Sequence, residues 1–148
     1  MITGLLFSVG AKIISKPGSM TGYKGEVARL KDTVAYARNA AVIKKKTVAF
    51  DLLPKLAIDS YDQYSVEIDG VVLDTYDVFK GVRCSANASD NNEIDRIEFS
   101  ETGEISLYYD SVPLGNPNQD AFITISDSNN TTSNIFQIYK MSGKIRGL

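Results

Sequence analysis

The fold is decided within one stretch, residues 21–52, which read TGYKGEVARLKDTVAYARNAAVIKKKTVAFDL. Up to residue 46 the apolar side chains recur three and four positions apart, which is the spacing of one face of a helix. From Thr47 the pattern changes to alternation, which is the period of a strand. We therefore predict an amphipathic helix over Thr21–Lys46 that leads into a strand over Thr47–Leu52. Its apolar stripe consists of Val27, Leu30, Val34, Ala37 and Ala41.

The clearest downstream unit is a hairpin. Tyr64–Ile68 and Val71–Leu73 are apolar runs joined by Asp69-Gly70, and an Asp-Gly pair in that position favours a type I′ turn. Further strands are predicted at Val78–Cys84, Ile94–Phe99, Ile105–Tyr109, Ala121–Ser126 and Ile135–Met141.

Turn signals separate these runs. Thr102-Gly103 and Ser142-Gly143 are typical of tight turns, and Ala86–Asn92 and Asp127–Asn134 of longer polar loops. A long helix followed by short antiparallel strands indicates an α+β domain whose helix packs its apolar stripe on an antiparallel sheet. Residues 1–46 would form the helical part, and residues 47–148 a β-rich head.

The segment before the helix is apolar but short. Met1–Ser15 falls below the roughly 20 residues that a membrane-spanning helix needs. Lys12 and Lys16 follow the apolar run, whereas a signal peptide carries its positive charge in front. We expect this segment to be the lower part of a longer apolar helix. The side chains predicted to serve filament assembly are Leu5, Leu6 and Val9 together with the stripe Val27, Leu30, Val34, Ala37 and Ala41.

Composition argues against an enzyme. The chain has no histidine, which removes the commonest general base and the commonest zinc ligand. Its single cysteine, Cys84, fits a buried strand position better than a reactive thiol. The acidic residues are predicted to form the solvent face of the sheet rather than a catalytic pair. No catalytic residue, cofactor or metal site is predicted.

The charge is divided along the chain. Residues 1–46 carry nine Lys/Arg against two acidic residues, and residues 47–148 carry seven against sixteen. The basic residues of the predicted helix are expected to form its solvated face. An acidic head disfavours binding to nucleic acid, because phosphate neutralisation supplies most non-specific affinity. The solvated cations of the helix are Lys24, Arg29, Lys31, Arg38 and Lys44.

Three motifs, in this order, resemble the GspH/FimT-like minor pseudopilins and minor pilins of type II secretion and type IV pilus systems. Residues 30–50, LKDTVAYARNAAVIKKKTVAF, resemble the family's "L…ARxxAI" helix that runs into the first strand. Residues 97–103, IEFSETG, resemble its mid-domain "F…G" turn. Residues 123–126 and 135–138, with SGKIR at 142–146, resemble its closing hairpin and "sGxvr" end. The family's N-terminal peptidase site is not present in this sequence.

The resemblance implies a structural role. The expected partners are other pilin or pseudopilin subunits and an inner-membrane assembly platform, with the missing upstream helix in the membrane. The full-length protein would sit in the cytoplasmic membrane with a single pass and an extracytoplasmic head, and would enter a pilus or pseudopilus on assembly. Type II secretion and type IV pilus are not separable on these residues.

Other roles for the head stay open. A binding module at a pilus tip could recognise DNA, a glycan or a secreted substrate through the loops at Ala86–Asn92 and Asp127–Asn134. Some FimT-like pilins take up DNA through basic C-terminal residues, and calcium binding is the alternative for the Asp90–Asp95 and Asp127–Asn130 loops. The C-terminal DNA candidates are Lys140, Lys144 and Arg146, and the candidates for an aromatic platform are Tyr108, Tyr109, Phe136 and Tyr139.

Overall fold

A computed structural model describes residues 22–54, 61–78, 81–127, 129 and 132–148. The predicted upstream segment, with Leu5, Leu6 and Val9, lies outside the described residues.

The predicted helix is present as α1, Gly22–Lys44. Lys45, directly after the last helical residue, takes the left-handed conformation (φ 53°) that commonly terminates helices. The next residue, Lys46, donates its backbone N–H to the Ala41 carbonyl at 3.2 Å. The chain therefore passes from helix to strand within three residues, as the change of period at Thr47 predicts.

The head is an antiparallel sheet of short strands, which confirms the α+β prediction. The strands are β1 (Val48–Pro54), β2 (Tyr61–Ile68), β3 (Val71–Asp77), β4 (Val82–Ala88), β5 (Arg96–Phe99), β6 (Ile105–Tyr109), β7 (Val112–Pro113), β8 (Ala121–Asp127), β9 (Ser133–Ile138) and β10 (Ile145–Gly147).

The sheet consists of two halves that meet at a seam between β2 and β4. Its strand order is β10-β9-β8-β4-β2-β1-β5-β6-β7, with β3 paired to β2. We call β1, β2, β3, β5, β6 and β7 the first half-sheet, and β4, β8, β9 and β10 the second. Neighbouring strands within each half share several residue pairs, but β2 and β4 share only Tyr61 and Cys84 in the described register.

The helix crosses this seam. α1 contacts β1 and β5 in the first half-sheet and β4, β8 and β10 in the second. The inward residues of the strands, such as Phe50, Phe99, Ile123 and Ile138, form one buried cluster with the helical stripe. One core therefore holds both halves, because the helix packs across the line where they meet.

Most predicted strands appear with small shifts, and Asp69-Gly70 has positive φ at both positions (53° and 79°), as a type I′ turn requires. The predicted strand Val78–Cys84 is wrong in position, because Gly81 turns at φ 86° and β4 starts at Val82. The predicted loop Ala86–Asn92 correspondingly begins as strand, since Ala86 and Ala88 are inward residues of β4. β7 and β10 were not predicted, being too short to show alternation.

Candidate functional site

The helical stripe faces the protein's own sheet. Leu30, Val34, Ala37 and Ala41 are fully buried, and Val27 packs against the same core. In this fold these side chains hold α1 on the head, so they are not exposed for contact with a neighbouring subunit. Their predicted role in assembly stays a prediction, and would be indirect.

A buried charged residue lies within this stripe. Glu26 is fully buried, and its carboxylate accepts hydrogen bonds from Arg29 Nη2 at 2.7 Å and from the Tyr64 hydroxyl at 2.7 Å. Arg29 Nε donates to the same Tyr64 oxygen at 2.8 Å. The Arg29 guanidinium also lies over the rings of Tyr64 and Tyr76, 5.5 and 5.4 Å from their centroids. We call these four residues the charged clamp.

The charged clamp fastens the β2–β3 hairpin to the start of α1. Arg29 also donates to the backbone carbonyl of Asp77, the last residue of β3. Burial and then the Glu26 charge raise the pKa of Tyr64, so its hydroxyl stays protonated and able to donate to Glu26. Charge-assisted hydrogen bonds of this kind are among the stronger ones in proteins.

The charged clamp corrects one sequence prediction. Arg29 was expected on the solvated face of the helix, but its side chain is only 15% exposed. A signal was present, because Glu26 lies four positions before Leu30 and so continues the buried stripe. Cys84 lies close enough for the Glu26 charge, after burial itself, to raise the pKa of its thiol. The predicted buried strand position of Cys84 is confirmed.

The three motifs that carry the family resemblance meet at one point. Arg38 of the helix motif donates from Nε to the Ser142 carbonyl at 3.0 Å. A Cβ on Gly143 would lie 2.3 Å from the Gly103 carbonyl oxygen, 2.9 Å from the Phe99 ring and 3.1 Å from Arg38. Both glycines also have positive φ, 89° for Gly103 and 67° for Gly143. We call these five residues the turn junction.

The turn junction is a further connection between the half-sheets. Its two turns follow β5 in the first half-sheet and β9 in the second. Ile105 donates its backbone N–H to the Lys140 carbonyl at 2.9 Å, which extends the connection beyond the turns. The sheet therefore curls around α1, and only glycine fits where its two turns touch.

The outward face of α1 is mixed. Lys24, Lys31 and Lys44 are exposed, as predicted for a solvated face, and Asp32 is exposed beside them. Arg38 is half-buried at the turn junction. Near the end of the helix Ile43 is 67% exposed, the most exposed large apolar side chain of α1. This face is the part of the helix that another subunit can reach.

The three C-terminal basic residues have different environments. Lys140 is turned inward, where Nζ pairs with Glu104 at 3.3 Å and donates to the Ile105 carbonyl. Arg146 Nη1 donates to the Tyr139 hydroxyl at 3.1 Å, and Lys144 is exposed. A DNA contact at this end stays a prediction, and its accessible cations are Lys144 and Arg146.

The outer face of the first half-sheet carries an ionic cluster around one arginine. Arg96 lies 3.0 Å from Asp51, 3.0 Å from Glu98 and 3.4 Å from Glu67. Burial, together with the Glu67 carboxylate, raises the pKa of Asp51 to about 6 despite the lowering effect of Arg96. Glu67 and Glu98 do lie on the outer face of the sheet, as predicted, but as partners in this cluster.

In the first loop considered for calcium, the Asp90 carboxylate is already hydrogen-bonded to other groups of the protein. Asp90 accepts hydrogen bonds from the Asn92 backbone and side chain at 3.0 and 2.9 Å, and from Gln119 at 3.1 Å. These N–H donors hold the Asp90 pKa below its usual value. Among the described residues, no group of three or more acidic or thiol side chains is placed to hold a metal ion.

The four aromatic candidates do not form one exposed platform. Phe136 is buried in the core, as core packing predicts, and Tyr108 and Tyr139 are half-buried. Only Tyr109, at the end of β6, is exposed among the four.

Comparison with known proteins identifies the fold. No protein-family model matches the sequence, and no curated protein matches it closely enough to count as a relative. The type IV minor pilin FimU of Pseudomonas aeruginosa, solved in two crystal forms, is similar in structure with TM-scores of 0.58 and 0.59 at 16% and 17% identity. The match covers 84% of this chain and 86% or 91% of FimU.

A second neighbour comes from a different machine. The minor pseudopilin EpsH from the type 2 secretion system of Vibrio cholerae matches with a TM-score of 0.59 at 8% identity, over 86% of this chain and 97% of EpsH. No helix within the described ranges is both long and apolar enough to cross a membrane. The helix, the curled antiparallel sheet and these matches show that this chain has the GspH/FimT-like fold of minor pilins and minor pseudopilins.

Proposed function

We propose that this chain is a structural subunit of a type IV pilus or a type II secretion pseudopilus, and not an enzyme. The observation that carries the proposal is the way the head is built on α1. Both half-sheets pack on the same helix, and the charged clamp and the turn junction fix the head at two points along it. Such a head moves with its helix as one body, which suits a repeating or tip subunit in a filament.

The proposed partners follow from that arrangement. An apolar helix upstream of α1 would lie in the cytoplasmic membrane before assembly and against other subunits afterwards, since apolar helices in lipid associate by close packing. The inner-membrane assembly platform and other pilin or pseudopilin subunits would contact it there. The head would be extracytoplasmic, and would lie on the pilus or pseudopilus after assembly.

The proposal is tested in the cells that carry the gene. Deletion is expected to reduce surface filaments, counted by electron microscopy, or to reduce secretion of exported proteins into the medium. An epitope-tagged chain should appear in the sheared filament fraction or co-purify with inner-membrane assembly proteins. Unchanged filaments and secretion, with the tagged chain in neither fraction, would contradict the proposal.

A pair of point variants tests the helix face. Ile43→Glu places a charge at an exposed apolar position of α1, and is expected to lower filament number or secretion if a neighbouring subunit packs there. The matched control is Val112→Glu, because Val112 is 62% exposed but lies on β7. Equal filament number and equal secretion for the two variants, at equal protein levels on immunoblots, would show that this helix face does not contact a neighbouring subunit.

A further inference from the structure

The outer face of the second half-sheet carries a shallow groove of about 260 Å³. Its lining, which we call the neutral groove, contains no charged side chain, although charged residues make up 23% of the whole sequence. The lining residues are Asn87, Ala88, Ser89, Asn91, Phe122, Thr124 and Ile135.

The sheet register places the apolar and polar groups of the groove side by side. Asn87 is opposite Phe122, and Thr124 is opposite Ile135. Since neighbouring strands are about 5 Å apart and residues i and i+2 about 7 Å, the surface spans roughly 10 Å by 7 Å. Phe122 supplies a half-buried aromatic ring near its centre.

Three polar groups on this surface have capacity to bind a ligand. Asn87 uses Nδ2 towards the Ala88 carbonyl at 3.2 Å and towards Asn91 Oδ1 at 3.5 Å. Within the part of the chain that the structure describes, Asn87 Oδ1, Asn91 Nδ2 and the Thr124 hydroxyl have no hydrogen-bond partner. The groove therefore offers an acceptor, a donor and a hydroxyl that can act as either.

Three carboxylates close to the groove are engaged elsewhere. Glu93, which lies opposite Asn87, accepts a hydrogen bond from the Tyr61 hydroxyl. Asp120 accepts hydrogen bonds from Gln137 Nε2 at 2.8 Å and from the Lys140 backbone at 2.8 Å. Asp90 is held by Asn92 and Gln119. The groove thus combines an aromatic face with uncharged hydrogen-bonding groups.

These features narrow the class of ligand. A nucleic acid would need cations for its phosphates, and the lining has none. A peptide added as an extra strand would need an open sheet edge, but β8 is paired on both sides by β4 and β9. A sugar ring without charge presents an apolar C–H face to an aromatic ring and hydroxyls to amide and hydroxyl groups.

We propose that the neutral groove binds a neutral carbohydrate, with Phe122 under a sugar ring and Asn87, Asn91 and Thr124 hydrogen-bonded to its hydroxyls. A groove this size is close to the lower limit, about 300 Å³, of small-molecule sites. Because of this small size, the neutral groove contacts only one or two sugar units of a longer glycan. The site belongs to the isolated head, so it does not depend on the proposed filament role.

The test is a titration of the ¹⁵N-labelled chain with cellotriose, maltotriose and triacetylchitotriose, followed by amide chemical shifts. At least one sugar is expected to give saturable shifts centred on Asn87, Asn91, Phe122 and Thr124, with a dissociation constant on the order of 1 mM. No saturable shift with any of the three, or shifts centred elsewhere, would overturn the proposal. The proposal would also be overturned if dextran sulfate or a peptide gave saturable shifts in the groove and none of the three sugars did.

Variants separate ring stacking from general damage. Phe122→Ala is expected to weaken binding at least about tenfold, because the sugar ring loses the aromatic face on which it stacks. Phe122→Tyr keeps the ring and is expected to keep the affinity. Asn91→Gly removes the Nδ2 donor but tolerates the positive φ of 67° at this position, and is expected to weaken binding about fivefold. The control is Tyr109→Ala, an exposed aromatic residue on β6 outside the groove.

Thermal melting shows which variants remain folded. If Phe122→Ala does not fold, Phe122→Leu and Asn91→Gly are used for the test instead. Unchanged affinity in folded variants of Phe122 and Asn91 would contradict the proposal, and so would an equal loss in Tyr109→Ala. Because these experiments use the isolated chain, their failure leaves the filament proposal unaffected, and a failed cell experiment leaves this one unaffected.

Discussion

The two half-sheets share one core but differ in what they present and in how they are attached. The first carries an ionic cluster on its outer face, where Arg96 joins three carboxylates, and is fastened to α1 by the charged clamp. The second has an uncharged outer face around Phe122. Its polar contacts with α1 use a backbone carbonyl at Ser142 and the hydroxyl of Tyr23, which lies 3.3 Å from the Ile125 carbonyl.

The two half-sheets are therefore suited to different roles, the first to attachment to α1 and the second to ligand binding. Buried charges are costly to leave unpaired, so the first half-sheet depends on complete ionic contacts for its attachment. The second half-sheet has no such dependence, and its outer face can change side chains at little cost in stability. A ligand-binding surface is therefore easier to place on the second half-sheet.

The largest difference between the two half-sheets is expected when Glu26 of the charged clamp is replaced. Glu26→Ala leaves the buried Arg29 without its carboxylate, and is expected to lower the free energy of unfolding by about 4 kcal/mol. Urea unfolding measures the loss, and hydrogen exchange should show that β2–β3 loses more protection than β8–β9. The control Glu101→Ala, at an exposed position, should stay within about 0.5 kcal/mol. Equal loss of protection in both half-sheets would show that the clamp does not act on the first half alone.

The turn junction is tested by a glycine pair. Gly143→Ala combines a positive φ with a 2.3 Å approach to the Gly103 carbonyl, and is expected to cost about 3 kcal/mol. Gly70→Ala has a similar φ of 79° but nothing within 4 Å of the added carbon, so we expect about 1 kcal/mol. Thermal and urea unfolding of the two variants give the difference. Similar losses would mean that the two turns do not press on each other in solution.

The ionic cluster predicts a pH dependence of the first half-sheet. The pKa of Asp51 is about 6 in the folded protein and about 3.9 in an unfolded chain, so the folded state holds this proton more tightly. The Asp51 contribution to the free energy of unfolding therefore falls as pH rises from about 4 to above 6. Carboxyl NMR titration should place the Asp51 pKa near 6.

A variant identifies the partner that contributes to this shift. Glu67→Gln removes the neighbouring negative charge and is expected to lower the Asp51 pKa, which reduces the fall in stability. Glu101→Gln, at an exposed position in the turn after β5 and not among the carboxylates that contact Arg96, should leave the titration unchanged. An Asp51 pKa near its ordinary value in the unmodified protein would contradict the described packing around Arg96.

The smallest effect is expected at the hairpin tip. Lys46 pairs with Asp69 at 2.9 Å, but both side chains are more than half exposed. Lys46→Ala should lower the free energy of unfolding by less than about 0.5 kcal/mol, since solvent screens exposed pairs. A loss comparable with that of Glu26→Ala, measured by the same urea unfolding, would remove the distinction between buried and exposed ion pairs in this half-sheet.

Local patterns predicted the helix, the Asp69-Gly70 hairpin and most strands, because each depends on residues close in sequence. The charged clamp could not be predicted, because it joins Glu26 on α1 to Tyr64 and Tyr76 on β2 and β3. These residues are far apart in sequence, and the packing that brings them together cannot be derived from local patterns. The turn junction escaped prediction for the same reason. Gly103 and Gly143 were recognised as turns, but their contact depends on how far the sheet curls. The neutral groove likewise arises only when β4, β8 and β9 are aligned.

The attachment of both half-sheets to α1 has a mechanical consequence. When a pilin-like subunit is pulled through its helix, force enters the first half-sheet directly along the chain from Lys44 into β1. The second half-sheet receives it through side chains packed on α1, through the turn junction, and through backbone hydrogen bonds such as the one from the Ile94 N–H to the Ala86 carbonyl. Under tension the first half-sheet is therefore expected to bear load before the second, and these contacts pass the load on across the head.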